Sequence, residues 1–457
     1  MNIPKQHTDS ETGPSRTLSL EQALQLAIQL HQTNKLVTAE QIYLKLLEIQ
    51  PENPSCLHFL GLLRYQCGHQ EQGAGLIKKA LTISPEYFDA LNNLGNIYLQ
   101  MGYPDDAEPF YRQVITLKPE YAAAHGNLGV ALKELGRYDE AIHLLLTAIE
   151  LDPSVACYFQ NLGNTYKRLG QYTDAVKVYR HALTLDATDS VTFRQLSQTL
   201  YVMGEIDSST DMLRQWLALD AENPTALHML AAFTRDNIPF RASDAYVKQT
   251  FDRFAASFDG VLKRLDYQAP FLVYQALKAL ATDIETWHAL DAGCGTGLFG
   301  ELVRPVVNRL TGIDLSPKML ERARSRGVYD AVFEAELTDF FSQSHSTYDV
   351  ITCVDTLCYF GDLHPVFQAT VNALKPNGWI ILTLEVLSEQ DAIEDYRLNV
   401  HGRYSHKASY VRNTLNKAGF SVYNIDSATL RKEGREAVEG LVVTAQIASG
   451  RPNMINT

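Results

Sequence analysis

The sequence contains no run of eighteen apolar residues, so no segment is expected to cross a bilayer as a helix. Its opening residues, MNIPKQHTDSETGPSRT, hold no apolar signal core, and residues 1–19 are expected to be a disordered tail. Cysteine is scarce and unpatterned. The six thiols (Cys56, Cys67, Cys157, Cys294, Cys353 and Cys358) include no C-x-x-C pair and no metal-ligand spacing. They are expected to be reduced, mostly buried groups of a cytoplasmic protein, and no metal site is expected. Positive charge is also short. Against 53 acidic residues there are 40 Lys and Arg, a net charge of −13, which disfavours a nucleic-acid partner and leaves room only for a local phosphate-binding surface. A length of 457 residues suggests two or three domains.

What is present first is a period. Pro51, Pro85, Pro119 and Pro153 stand 34 residues apart, as do Gly61, Gly95, Gly129 and Gly163, and as do Gly68, Gly102, Gly136, Gly170 and Gly204. Ala107, Ala141 and Ala175 hold the same spacing. Each unit reads as a helical hairpin. The glycine of "NLG" admits a close neighbouring helix, the later glycine ends the first helix in a left-handed cap, and Asp or Glu then opens the second. Such a pair cannot bury its apolar face alone and must stack on its neighbours. With Leu94, Gly95, Tyr98, Ala107, Tyr111 and Pro119 at signature positions, the pattern resembles the tetratricopeptide repeat. It covers residues 20–223 as six units, the first degenerate and the sixth carrying Ser197 and Ser209 in place of glycine and alanine. A capping helix is expected over 224–235, closing a solenoid region of residues 20–240. The resemblance implies a right-handed superhelix whose concave groove holds a peptide or protein segment; a spacer or dimerisation scaffold is the alternative.

From residue 241 the period is gone. Residues 242–280 read as amphipathic helices, with Phe251, Phe254 and Phe258 on one face, either packing into a core or closing over a ligand. From Trp287 short apolar runs alternate with helical stretches: 287–291, 309–314, 331–336, 348–354 and 379–385 are expected strands. This predicts an α/β, Rossmann-like domain with a parallel sheet. The runs 420–426 and 440–446, joined by what reads as a short polar link, SATLRKEGREAVE, are expected to add an antiparallel edge.

The stretch LDAGCGTGLFG (290–300) leaves the first strand and opens a helix, the setting in which backbone N–H groups meet a ligand. It formally fits the dinucleotide pattern G-x-G-x-x-G, but three acids favour S-adenosylmethionine. Asp291 precedes the first glycine, where it would repel a pyrophosphate and attract a sulfonium and an ammonium. Asp314 ends the second strand, where ribose hydroxyls want an acceptor, and Glu336 ends the third, where an adenine amino group could donate. No Lys or Arg lies within the loop.

The motifs LDAGCGTG, GIDLSPKMLERAR, EAELTDF, YDVITCVDTLCYFGDL and LKPNGWIILTLE resemble those of class I SAM-dependent methyltransferases over about residues 240–447. The whole chain is similar to bacterial predicted methyltransferases with N-terminal tetratricopeptide repeats. That resemblance implies S-adenosylmethionine as cofactor. Asp291, Gly293, Gly295 and Gly297 would surround its methionine part, Asp314 the ribose, and Glu336 with the Leu337 N–H the adenine. Asp355 would sit near the reactive methyl, with Tyr359 lining the same pocket. The segment DTLCYF replaces the (Asn/Asp)-Pro-Pro-Tyr loop of many amine methylases, so a hydroxyl, carboxylate or carbon acceptor stays open.

Methyl transfer is an in-line displacement that requires alignment, exclusion of water and, for some acceptors, loss of a proton. The stretch HGRYSHKASY (401–410) supplies candidates at the acceptor. His406 is the expected base, His401 and Tyr404 are expected acceptor contacts, and Arg403 is a candidate clamp for an acceptor carboxylate. Three functions remain distinct: a methyltransferase recruiting a peptide or protein acceptor through its repeats, a small-molecule methyltransferase that the repeats merely dock, and a non-catalytic adaptor that senses the methyl donor.

Overall fold

The computed structural model describes residues 18–280, 284–390, 394–433 and 436–448. The expected tail, residues 1–19, lies outside them except for Leu18 and Ser19. Two compact units are present, Met1–Ala187 and Thr188–Thr457.

The first unit is a run of antiparallel helix pairs: α1 (Leu20–Gln32) with α2 (Leu36–Ile49), α3 (Pro54–Gln66) with α4 (Gln70–Ile83), α5 (Phe88–Gln100) with α6 (Pro104–Leu117), α7 (Ala122–Glu134) with α8 (Tyr138–Leu151), and α9 (Ala156–Arg168) with α10 (Tyr172–Leu185). The two glycine registers divide the work as the period predicts. Gly68, Gly102, Gly136 and Gly170 turn the four later pairs at φ between +75° and +88°, a conformation that costs glycine little. The inner glycines instead permit contact. A Cβ on Gly95 would lie 2.7 Å from the Tyr111 ring, and one on Gly163 would lie 2.5 Å from that of Tyr179. Those tyrosines are fully buried, and each hydroxyl donates to the asparagine that follows the glycine, Tyr111 to Asn96 at 2.8 Å and Tyr179 to Asn164 at 2.7 Å. "NLGN" is thus one packing device: a gap for a ring and an acceptor for its polar end.

The second unit opens with α11 (Ser190–Val202), α12 (Ile206–Leu219) and α13 (Pro224–Thr234). Here the serines that depart from the repeat pattern meet each other: Ser209 Oγ donates to the Ser197 carbonyl at 2.8 Å, both residues fully buried. There follow α14 (Asp244–Phe254), α15 (Phe258–Arg264) and α16 (Ala269–Lys278). An α/β domain comes next: β1 (His288–Ala292), α17 (Leu298–Val303), β2 (Arg309–Asp314), α18 (Pro317–Arg326), β3 (Ala331–Glu334), α19 (Leu337–Gln343), β4 (Tyr348–Cys353), α20 (His364–Ala373), β5 (Leu374–Val386), β6 (Tyr396–Leu398), β7 (Tyr404–His406), α21 (Ala408–Ala418), β8 (Phe420–Glu433) and β9 (Glu436–Ile447). The sheet runs β3-β2-β1-β4-β5, all parallel, and β9 joins β5 antiparallel with β8 outside it. The fold is therefore a tetratricopeptide-type helical array followed by a Rossmann-like sheet with an antiparallel edge.

Three expectations need correction. The charged link SATLRKEGREAVE is strand, because β8 continues to Glu433 and β9 begins at Glu436. The polar stretch around 404–406 is also strand: β7 pairs parallel with β5 at Glu385 and Val386 and antiparallel with β6. Glu336 does not end β3, which stops at Glu334; it is the N-cap of α19.

Replacing Gly95 with alanine is expected to cost roughly 1–3 kcal/mol through overpacking against Tyr111. At exposed Gly75 in α4, where a Cβ meets nothing within 4 Å, the same change should stabilise by about 0.5–1 kcal/mol. Thermal denaturation of the two variants should therefore shift in opposite directions.

Candidate functional site

A cavity of about 280 Å³ lies at the C-terminal ends of β1, β2 and β4, near the small end of ligand pockets, which run roughly 300–1,000 Å³. Its floor is the glycine loop. Gly293, Gly295 and Gly297 have φ of +79°, +54° and +92°, so each needs the freedom of glycine. Gly293 faces a neighbour as well: a Cβ there would lie 2.2 Å from the Thr356 hydroxyl, which itself donates to the Ala292 carbonyl. The segment after β4 is thereby seated directly on the loop.

The expected donor-site residues gather around this floor. Asp291, Gly293, Gly295, Asp314, Glu336 and Leu337 all line the cavity. Gly297 does not line it: it stands between two residues that do, Thr296 and Leu298, and is the N-cap of α17. Asp314 receives the Gly295 N–H at 2.9 Å and the Ser316 N–H at 2.8 Å, so it ties the first loop to the second. Ser316 is the N-cap of α18, accepting from the Met319 N–H, with Pro317 at the first helical position. Glu336 accepts from the Asp339 N–H in capping α19 and lies 3.9 Å from the Arg241 guanidinium. Phe251, Phe254 and Phe258 form the opposite wall, so the apolar face of α14 and α15 faces the cavity. Two hydrogen bonds hold these helices to the loops beneath: Ser316 Oγ donates to Asp252 at 2.6 Å, and Thr296 Oγ1 to Asp259 at 2.5 Å.

The acceptor candidates are scattered. Asp355 and Tyr359 line the cavity, and so does Arg403. His406 does not. It is fully buried in β7, its Nε2 is 3.1 Å from the Gly361 carbonyl, and burial pushes its pKa down to about 4. A ring sealed in that way cannot take a proton from a group in the cavity. Tyr404 is also fully buried outside the cavity, donating to the Pro239 carbonyl at 2.6 Å. His401 is exposed and stands 3.5 Å from Glu385. Nor is Arg403 free to clamp an acceptor carboxylate: it is paired with Glu385 at 2.5 Å and Glu433 at 2.7 Å.

Two residues, one lining the cavity and one behind its floor acid Asp291, escape sequence reasoning. Arg431, on the strand that reads as a polar link, is buried and lines the cavity, contacting Asp355 at 2.8 Å, Glu433 at 2.9 Å and Glu385. Tyr329, between α18 and β3, donates its hydroxyl to Asp291 at 2.7 Å. Neither belongs to a local motif. The alternation of Leu430 and Arg431 along a strand is the faint signal available for the first, and the second has none.

Asp291 is the most telling group. It is 1% exposed, and among the described residues its hydrogen-bond partner is the Tyr329 hydroxyl. Burial, which Tyr329 opposes and Asp314 reinforces, pushes its pKa up to about 7. Because the folded pKa exceeds the unfolded value of about 3.9, the folded state holds the extra proton between the two, and stability falls as pH rises from about 4 to 7. Asp291→Asn removes that loss. Relative to wild type, the ligand-free variant should match at about pH 3 and be more stable at pH 8, by on the order of a few kcal/mol. Denaturant titration at the two pH values measures this, and an advantage that does not grow with pH would contradict it.

Residues 290–382 match a family model described as a methyltransferase domain, and residues 90–154 and 120–188 match one described as a tetratricopeptide repeat. A ubiquinone biosynthesis O-methyltransferase of Bordetella avium (strain 197N) is 32% identical over 114 residues, 23% of this chain and 46% of that protein. One of Xanthomonas oryzae pv. oryzae (strain PXO99A) is 28% identical over 152 residues, 31% of this chain and 63% of that protein. The chain thus spans about half the length of these curated relatives. A thermophilic tetratricopeptide protein of Thermus thermophilus aligns in structure at 21% identity and TM-score 0.35, over 40% of this chain and all of that one. Among the described residues no helix is long and apolar enough to cross a membrane, and no cluster of metal-ligating side chains occurs. Taken with the fold, the two family matches place a methyltransferase domain over residues 290–382 of this chain and tetratricopeptide repeats over residues 90–188.

Proposed function

We propose that the chain is an S-adenosylmethionine-dependent methyltransferase whose repeats recruit a peptide or protein acceptor. The observation that carries the donor assignment is Asp291, a buried carboxylate beside a glycine loop without Lys or Arg, unpaired with any cation among the described residues. A cationic ligand offsets the cost of its ionisation; a pyrophosphate would add to it.

When bound, S-adenosylmethionine supplies a methyl carbon on a sulfonium, primed for in-line displacement. Asp291 and the amides of Gly293 and Gly295 would hold its methionine part. Asp314 would accept from the ribose hydroxyls, and Glu336 with the Leu337 N–H would meet the adenine. Phe251, Phe254 and Phe258 exclude water from above. Asp355 and Tyr359, which line the cavity beyond the end of β4, would face the acceptor. With His406 sealed away, Asp355 and Glu433 are the carboxylates within reach of an acceptor proton. Tetratricopeptide repeats generally bind protein or peptide, which supports recruitment by the first unit.

A second reading is favoured by the names of the curated relatives, which are O-methyltransferases: the acceptor is the hydroxyl of a small molecule, and the repeats only dock the enzyme to a partner.

Incubating the full chain with tritiated methyl donor and a lysate of its host should place label in the protein fraction. Label confined to small molecules supports the second reading, and none in either fraction counts against both. Asp314→Ala should weaken donor affinity by about 1.5–3 kcal/mol, the worth of a hydrogen bond to a charged group, as read by calorimetry. Unchanged affinity would place the ribose elsewhere.

A further inference from the structure

The acceptor end of the cavity is closed by an ion cluster that no local motif announces. Its centre is Arg431 of β8, a buried guanidinium whose three nitrogens are all engaged. Nη1 meets Asp355 Oδ2 at 2.8 Å, Nη2 meets Glu385 Oε1, and Nε meets Glu433 Oε1 at 2.9 Å. Arg403 closes the ring from the other side, between Glu385 and Glu433. Three carboxylates therefore share two guanidiniums, and the cluster carries one net negative charge when all are ionised.

Asp355 is the member whose segment is seated on the glycine loop. It follows β4 in a left-handed conformation, φ +50°, which is uncommon outside glycine and is held here by two contacts besides Arg431: its N–H donates to Thr383 Oγ1 at 2.8 Å, and Thr383 Oγ1 lies 3.0 Å from Oδ1. Its neighbour Thr356 rests on Gly293, so Asp355 adjoins the part of the loop assigned to the methionine portion of the donor. Besides Arg431, the ionisable groups around it are Glu385 and Arg403 from β5 and the 399–403 turn, Glu433 from β8, Cys358 and Tyr359 from its own loop, and Tyr267 ahead of α16.

We propose that Arg431 is a positioning residue that keeps Asp355 an oriented carboxylate toward the sulfonium, so that the charged donor is held in preference to the neutral thioether left after transfer. The inference rests on the donor assignment above. Its consequence is a route to product release: losing the positive charge removes the donor's attraction to Asp355 while the contacts of Asp291, Asp314 and Glu336 stay unchanged. Burial already pushes the Asp355 carboxyl upward, with Arg431 the chief opposing influence. Without the guanidinium, the chief influence that favours its charged form is lost.

The test uses the full chain and two defined probes, S-adenosylmethionine and S-adenosylhomocysteine, titrated calorimetrically between pH 6 and 8. Each variant is read against the wild-type ratio at the same pH, so the titration of Asp291, common to both proteins, divides out. Arg431→Met is expected to lower the preference for the sulfonium by about tenfold at pH 7. The deficit should be greatest at pH 6 and shrink as pH rises, and Arg431→Lys should recover part of it. A merely structural role would weaken both probes alike and leave the ratio and its pH dependence unchanged, which overturns the proposal. If the methionine variant does not fold, Asp355→Asn with Arg431 intact carries the test: the same loss of preference supports the proposal, and an unchanged ratio overturns it. A wild-type chain that binds neither probe overturns the donor assignment and this role together, whereas normal binding with an unaltered ratio in the variants overturns only the role of Arg431.

Discussion

The second unit is organised around negative charge kept away from water. Asp291 lies beneath three left-handed glycines with a tyrosine hydroxyl as its partner, and burying a carboxylate that way is costly unless it is protonated or paired. Much nearby structure reads as a response to that constraint. Tyr329 fills the space left by Gly300 and Gly312, where a Cβ would come within 2.4 Å and 3.0 Å of it, and delivers its hydroxyl to the acid. Asp314 is satisfied by backbone amides of both loops, which fixes the distance between them. The floor is thus rigid and electronegative before any ligand arrives.

At the far end, charge is managed differently. Asp355, Glu385 and Glu433 are balanced by two arginines from separate segments, a turn after β6 and the long hairpin strand β8. An ion cluster of this kind is sensitive to position, since removing one member strands the others in a poorly solvated site. It also explains why neither arginine is available to grip an acceptor carboxylate.

How much of this was legible in the sequence depends on whether the cause was local. The repeat period, the hairpin glycines and the cap at Ser316 follow from backbone requirements a few residues long, and the strands β1, β2 and β4 follow from apolar runs. Residues around the glycine loop were found because the loop itself announces them. The misses share another cause. Ser405 and His406 look polar, yet they are buried because the end of β5 needs a partner there. The charged run that holds Arg431 looks like a solvated link, yet it is strand because β9 offers a ladder and the cavity offers three carboxylates. Tyr329 is fixed by glycines 17 and 29 residues upstream. For His406 and Tyr329 the deciding partner lies far along the chain, as do Asp355 and Glu385 for Arg431, where propensity has no reach. Ser197 and Ser209 are the milder case: they break the repeat consensus and compensate each other by a hydrogen bond.

The central claim is that the buried acids select a cationic nucleoside over a dinucleotide. Calorimetric titration of the full chain with S-adenosylmethionine and, separately, with NAD at pH 8, where Asp291 is ionised, tests it most directly. Saturable binding of the methyl donor with no detectable heat from NAD is the predicted result; saturable binding of NAD with none of the methyl donor would contradict it.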